Sequence, residues 1–215
     1  MPTMYKGEAD SVAIEITFDI LAKLADIAVI HTAKNKIVLN QELLPSFKLG
    51  KKVVLYDYLA ILETQTGLQY KIIKHIRAKK ITLTFQGLHQ YDEVSRLMMI
   101  DYKAIMERLA GEGVLIRLDV CFDENKPFNV QRIAKLMDRV TKPFKNTVYL
   151  KTAKEKKKSQ HLNIKHYKKF DDMYRLEFVF GKRYLQGSKE DVKKCISKTI
   201  KKALGKPFKF GEFFA

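Results

Sequence analysis

Apolar and polar residues alternate with a period of two in several segments of this chain and follow the 3.6-residue period of a helix in others. Residues 11–19 put Val12, Ile14, Ile16 and Phe18 on one side and Glu15, Thr17 and Asp19 on the other, the pattern of a half-buried strand. Residues 20–31 carry a helical stripe of Ile20, Leu21, Leu24, Ala25, Ala28 and Val29. A short strand is expected at 36–39, a helix at 53–63, and two strands at 68–76 and 80–86. Residues 91–110 read as a long helix stopped by Gly111 and Gly113. Strict alternation returns at 114–123, around Ile116, Leu118, Val120 and Phe122. A helix at 128–140 and a turn at Pro143 are expected next, then strands at 147–151, 162–169 and 173–180. Residues 188–204 form a helix with Ser188 at its N-cap and Glu190 and Asp191 in the first turn.

No Pro- or Gly-rich linker divides the chain. The pattern therefore predicts an α+β fold spanning residues 1–215 as one domain, with residues 189–215 as a basic C-terminal helix and tail. Its central antiparallel sheet carries helices on one face and a polar, functional face on the other. Of 215 residues, 46% are hydrophobic and 30% charged, a composition that favours a packed core over disorder. No window is apolar for the roughly 18 residues a membrane span needs. The first eight residues lack the apolar region of a secretory signal, and Cys121 and Cys195 fit no metal or redox spacing. A cytoplasmic location is expected; zinc fingers, disulfide scaffolds and integral membrane proteins are excluded.

Charge changes the picture more than composition does. The chain carries a net +17, with 20 basic and 17 acidic side chains up to residue 140 and 21 basic against 7 acidic after it. A lysine-rich surface can be a solvated face only, but the scarcity of acids in one third points to an electrostatic footprint for phosphates. Lys154, Lys156, Lys157, Lys158, Lys165, Lys182 and Arg183 are the expected nucleic-acid contacts.

Three strands share a motif. Ile14-Glu15-Ile16-Thr17-Phe18, Leu118-Asp119-Val120-Cys121-Phe122 and Leu176-Glu177-Phe178-Val179-Phe180 each hold one acid between apolar residues, with Phe closing the motif. Arg117 and Arg175 precede the second and third copies. With the phenylalanines facing a core, Glu15, Asp119 and Glu177 fall on the polar face, beside Arg117 and Arg175. Alternation over 161–169 puts His161, Asn163, Lys165, Tyr167 and Lys169 on one face and Leu162 and Ile164 on the other. A wet sheet face with Arg–acid bridges is the simpler explanation of such a pattern; a cluster of acids, arginines and a tyrosine is the functional one.

Arg117-Leu118-Asp119-Val120 with Asp123, then Tyr167-Lys168-Lys169, then Tyr174-Arg175-Leu176-Glu177-Phe178 resemble, in order and spacing, the motifs of replication initiators of rolling-circle plasmids and filamentous phages. The resemblance covers about residues 80–185 and, weakly, the first strand. The His-hydrophobe-His motif of many relatives has no counterpart, since His161 and His166 are five apart. It implies a protein that binds origin DNA, single-stranded or hairpin, and nicks one strand, leaving a 5′-phosphotyrosine and a free 3′-hydroxyl. A host helicase or polymerase is the implied partner; no membrane is.

The residues are chemically sufficient for that reaction. Tyrosine, with an ordinary pKa of about 10, needs nearby positive charge or a base to react as phenolate. Tyr167 is the nucleophile that the Y-x-K resemblance implies, with Lys165 and Lys169 on its face; Tyr149, Tyr174 and Tyr184 are rivals, although Tyr174 is expected to face the core. Asp119, Glu177 and Glu15 offer the oxygen ligands that Mg²⁺ or Mn²⁺ prefers, with His161 a further possible ligand. Arg117, Arg175 and Lys169 complete the catalytic set by neutralising phosphate charge. Two rivals from other classes are a non-catalytic single-strand binder, which needs aromatics on the open face, and a metal-independent RNA endonuclease of the CRISPR type. Gly205 and Gly211 faintly suit the second; the three acids do not.

Overall fold

The computed structural model describes residues 5–17, 47–49, 56–63, 69–75, 80–88, 110–152, 161–206 and 208–210. In chain order the elements are β1 (Tyr5–Ile16), β2 (Phe47–Leu49), β3 (Tyr56–Glu63), β4 (Gln69–His75), β5 (Lys80–Gln86) and β6 (Val114–Glu124). There follow α1 (Val130–Leu136), β7 (Val140–Phe144), β8 (Thr147–Lys151), β9 (Leu162–Phe170), β10 (Met173–Gly181), a 3-10 turn at Lys182–Tyr184, α2 (Lys189–Leu204) and β11 (Phe208–Phe210). Pairing is mostly antiparallel and the described helices are few, so the protein is α+β. The expected helix at 20–31, the strand at 36–39 and the lysines 154–158 lie outside the described residues, as does the helix at 91–110 apart from Ala110.

The chain packs as two compact units. One comprises residues 11–116, the other residues 1–10 with 117–215. In the first, β5 pairs antiparallel with the later part of β1, opposing Glu15 to Thr82. From β5 the order runs through β4 and β3 to β2, antiparallel throughout. The helix expected at 53–63 is strand β3. A short apolar run does not distinguish the two by periodicity, and here hydrogen-bonded neighbours on both sides decide for the strand.

The second unit carries most of the chain's positive charge. Its strands run β6–β10–β9–β8–β7, each pair antiparallel, while β11 lies parallel to the first residues of β1. Leu118, Val120 and Phe122 of β6, Leu176, Phe178 and Phe180 of β10, and Leu162 and Ile164 of β9 are buried on one face. Val192, Ile196, Ile200, Ala203 and Leu204 of α2 and Ile133 and Ala134 of α1 are buried as well. Each Leu, Ile or Phe removed from water here contributes ~1.5–3 kcal/mol. The Phe122 ring meets those of Tyr5, Phe178 and Phe208 edge-on, with centroids 6.3, 5.9 and 5.6 Å away. Gly7 permits this: a Cβ there would lie 2.8 Å from the Phe122 ring.

α2 begins with a capping box. The Asp191 N–H donates to Ser188 Oγ (3.2 Å), and the Ser188 N–H donates to Asp191 Oδ2 (3.1 Å). Gly205, at φ +65°, ends the helix in the left-handed region. The helix expected at 128–140 is shorter: Asn129 caps it, Asp138 turns the chain at φ 51°, and Val140 already opens β7. Pro143 lies inside β7 rather than in a turn; the turn is at residues 145–146. An end strand tolerates the missing N–H because it hydrogen-bonds a neighbour on one side only.

Candidate active site on the polar sheet face

The strand register of the second unit fixes which side chains share its polar face. One row crosses Asp123, Arg175, Tyr167, Thr147 and Phe144; the next crosses Cys121, Glu177, Lys165, Tyr149 and Lys142. Asp119 lies one step further along β6, opposite Val179.

At the centre, the Tyr167 hydroxyl donates to Glu177 Oε2 at 3.1 Å, and Lys165 Nζ lies 2.6 Å from Glu177 Oε1. Glu177 is buried, as is Asp119. Arg117 holds Asp119 with two hydrogen bonds from the same strand, Nε to Oδ1 at 2.8 Å and a terminal nitrogen to Oδ2 at 2.5 Å. Burial pushes the Asp119 carboxyl up to about 6; the Arg117 hydrogen bond opposes this and the negative charge of Glu177 adds to it. The Tyr167 phenol is also raised above its ordinary value, first by burial and then by the charge and hydrogen bond of Glu177. The resting hydroxyl is therefore firmly protonated, and Glu177 is the group positioned to take its proton. Cys121 is pushed up to about 12 by burial and remains a thiol.

A second cluster adjoins the first. Arg175 donates to both oxygens of Asp123 at 2.7 Å and to Asp10 Oδ1 at 2.6 Å, while Lys169 Nζ reaches Asp123 Oδ2 at 3.2 Å. Burial would lower the Arg175 guanidinium, but these carboxylates hold it above its usual range. Asp123 is correspondingly depressed: the hydrogen bonds and charges of Arg175 and Lys169 outweigh its burial.

Asp119, Glu177, Tyr167, Lys165 and Arg117 are thus gathered in one place, whereas Arg175 and Lys169 are engaged by Asp123. Glu15 belongs to the other unit. Lys182 and Arg183 are exposed in the turn after β10, and His161 is exposed at the head of β9. His166 and Tyr174 stack with centroids 6.0 Å apart on the helix-bearing side of the sheet. Gly205 serves as the cap of α2, and Gly211 lies outside the described residues.

Two features were missed in the sequence. Asp10 lies 165 residues from Arg175, and no local pattern links them. Phe144, 62% exposed, shares the polar face with Tyr149 and Tyr167; its place beyond Pro143 hid it in an expected turn.

Among the described residues no three His, Cys, Asp or Glu side chains converge as a metal site. Asp119 and Glu177 nonetheless fit Mg²⁺ in type, because that ion is often held by one or two carboxylates, with water and substrate phosphate completing its shell. Arg117 and Lys165 are the counter-charges such an ion would displace.

No helix among the described residues is long and apolar enough to cross a membrane. No family model matches the chain, and no curated protein matches it. Among solved structures, it is similar to the rolling circle replication initiator protein from Geobacillus stearothermophilus, with 14% identity and a TM-score of 0.44 over 82% of this chain and 74% of that one.

Proposed function

We propose that this protein is a replication initiator that binds origin DNA and nicks one strand with Tyr167. The observation that carries the reading is the Tyr167 hydroxyl donating to Glu177 on the polar sheet face, with Lys165 on Glu177 and the buried Asp119 on the same face. Glu177 takes the phenolic proton as the Tyr167 oxygen attacks phosphorus. The new O–P bond forms as the bond to the 3′-oxygen breaks and that oxygen takes a proton from water, leaving a 5′-phosphotyrosine and a 3′-hydroxyl. Lys165 and Arg117 swing from carboxylate to phosphate as negative charge develops. Asp119 and Glu177 would hold Mg²⁺ or Mn²⁺, which supplies positive charge to polarise the phosphate and to stabilise the phenolate. The lysine-rich last third, including Lys154, Lys156, Lys157, Lys158, Lys182 and Arg183, provides sequence-independent contacts to the strand.

The decisive experiment incubates the protein with labelled single-stranded and hairpin oligonucleotides and Mn²⁺, with and without EDTA. A labelled species stable to boiling in SDS is expected. It should be lost with EDTA and absent in Tyr167→Phe, which should still bind DNA. An adduct of equal yield in Tyr167→Phe would refute the assignment.

A second reading, a non-catalytic single-strand binder, is favoured by one observation. Phe144 and Tyr149 share the face of Tyr167 and Phe144 is exposed, which supports a stacking surface of the kind such a protein needs. Tight, salt-sensitive binding with no adduct on any oligonucleotide would select it.

A further inference from the structure

We infer that a cleft away from the Tyr167 face, between the start of β1, the β6–α1 connection and the end of α2, binds one nucleotide unit. The cleft has a volume of about 350 Å³, within the range that holds small ligands. Tyr5 and Phe128 line it, their ring centroids 5.9 Å apart and their planes tilted by 35°. Three cations, Lys126, Arg132 and Lys206, border it against one carboxylate, Glu124. Each comes from a different segment, so the convergence is tertiary and not a run of lysines in sequence. The Lys206 ammonium lies 5.8 Å from the centre of the Tyr5 ring, which ties one cation to the aromatic wall. Arg132 is placed by Gly205: a Cβ there would stand 3.0 Å from the guanidinium, and the φ of +65° suits glycine.

An aromatic and apolar wall takes a flat, weakly polar group; a cationic rim takes an anion. A nucleotide joins the two in one molecule. The cleft does not belong to the nicking site. The Phe128 N–H donates to His166 Nε2 at 3.3 Å, and His166 adjoins Tyr167 in β9, so the two side chains leave opposite faces of the strand. The inference therefore stands whether or not Tyr167 is a nucleophile.

The test titrates the full chain with dAMP, using deoxyribose 5-phosphate as a ligand of the same charge without a base. The base should tighten binding several-fold. The double variant Arg132→Gln, Lys206→Gln should weaken dAMP at least tenfold with an unchanged melting temperature, while Tyr167→Phe should bind dAMP like the parent. The source of the nucleotide is read from a short oligonucleotide and its counterpart with one abasic position. Loss of affinity in both the abasic strand and the double variant assigns the cleft to a nucleotide within a strand. Binding of dAMP alone assigns it to a free nucleotide. Equal affinity for dAMP and deoxyribose 5-phosphate, or no loss in the double variant, overturns the inference, as does an acidic tripeptide that displaces dAMP at lower concentration.

Discussion

Arg175 and Arg117 stand in nearly identical local sequence, each two residues before an acid in an alternating strand, yet the fold uses them differently. Arg175 is 5% exposed and ties β10 to Asp123 of β6 and Asp10 of β1. Arg117 is 41% exposed and, among the described residues, pairs with the neighbouring Asp119 on its own strand. The same motif has become a fixed clasp in one copy and a releasable counter-charge in the other. Position across the sheet explains this. Arg175 lies laterally between Asp123 of β6 and Tyr167 of β9, whereas Arg117 sits opposite Gly181, at the end of the β6–β10 register, where solvent reaches it.

Removing the clasp is the strongest way to break this contrast. Arg175→Ala should destabilise the protein by about 3–5 kcal/mol, since it leaves Asp10 and Asp123 without their shared cation. Thermal unfolding should show a drop of roughly 10 °C. A drop no larger than that of Arg117→Gln would show that the two arginines are equivalent after all.

Asp119→Asn sharpens the other side. Because the folded Asp119 carboxyl titrates near 6, above its unfolded value, the folded state binds its proton more tightly. The stabilisation this gives is complete below about pH 4 and is lost as pH rises through 6. The asparagine variant should therefore gain on the parent by up to roughly 2–3 kcal/mol between pH 4 and 8. Denaturation at both pH values measures it; a difference independent of pH would mean that burial does not govern Asp119. The same variant should lose metal-dependent adduct formation, which in the parent should fall as pH drops through 6.

Gly7→Ala tests the packing beneath the clasp. Its methyl would press on Phe122 and should cost ~1–3 kcal/mol, read from the denaturation midpoint. The smallest effect belongs to Arg117→Gln. Its stability should change by less than about 1 kcal/mol. Without the guanidinium, Asp119 should titrate higher, and the acid limit of adduct formation should move upward with it.

How much of this was legible beforehand depended on range. The strands at 114–123, 162–169 and 173–180 and the capped helix at 188–204 were visible because a single buried face imposes a fixed period on its own residues. The same rule placed Tyr167, Lys165, Asp119 and Glu177 on one face. It did not give their pairing, which is set by register between strands: Glu177 opposes Lys165, and Arg175 opposes Tyr167. Asp10 was out of reach because a contact across 165 residues leaves no local trace. Residues 56–63 were misread because a short apolar run suits either period. Phe144 is hidden in the sequence because Pro143 suits a turn as well as an outer strand.

The unit that holds the site is discontinuous in the chain, joining residues 1–10 to 117–215. Tyr5 pairs with Phe208, so β1 takes one of its partners from β11, across almost all of the described residues. Asp10 likewise meets Arg175, and Gly7 meets Phe122, only across long stretches of chain. The high sequence separation of these contacts predicts slow folding for this unit.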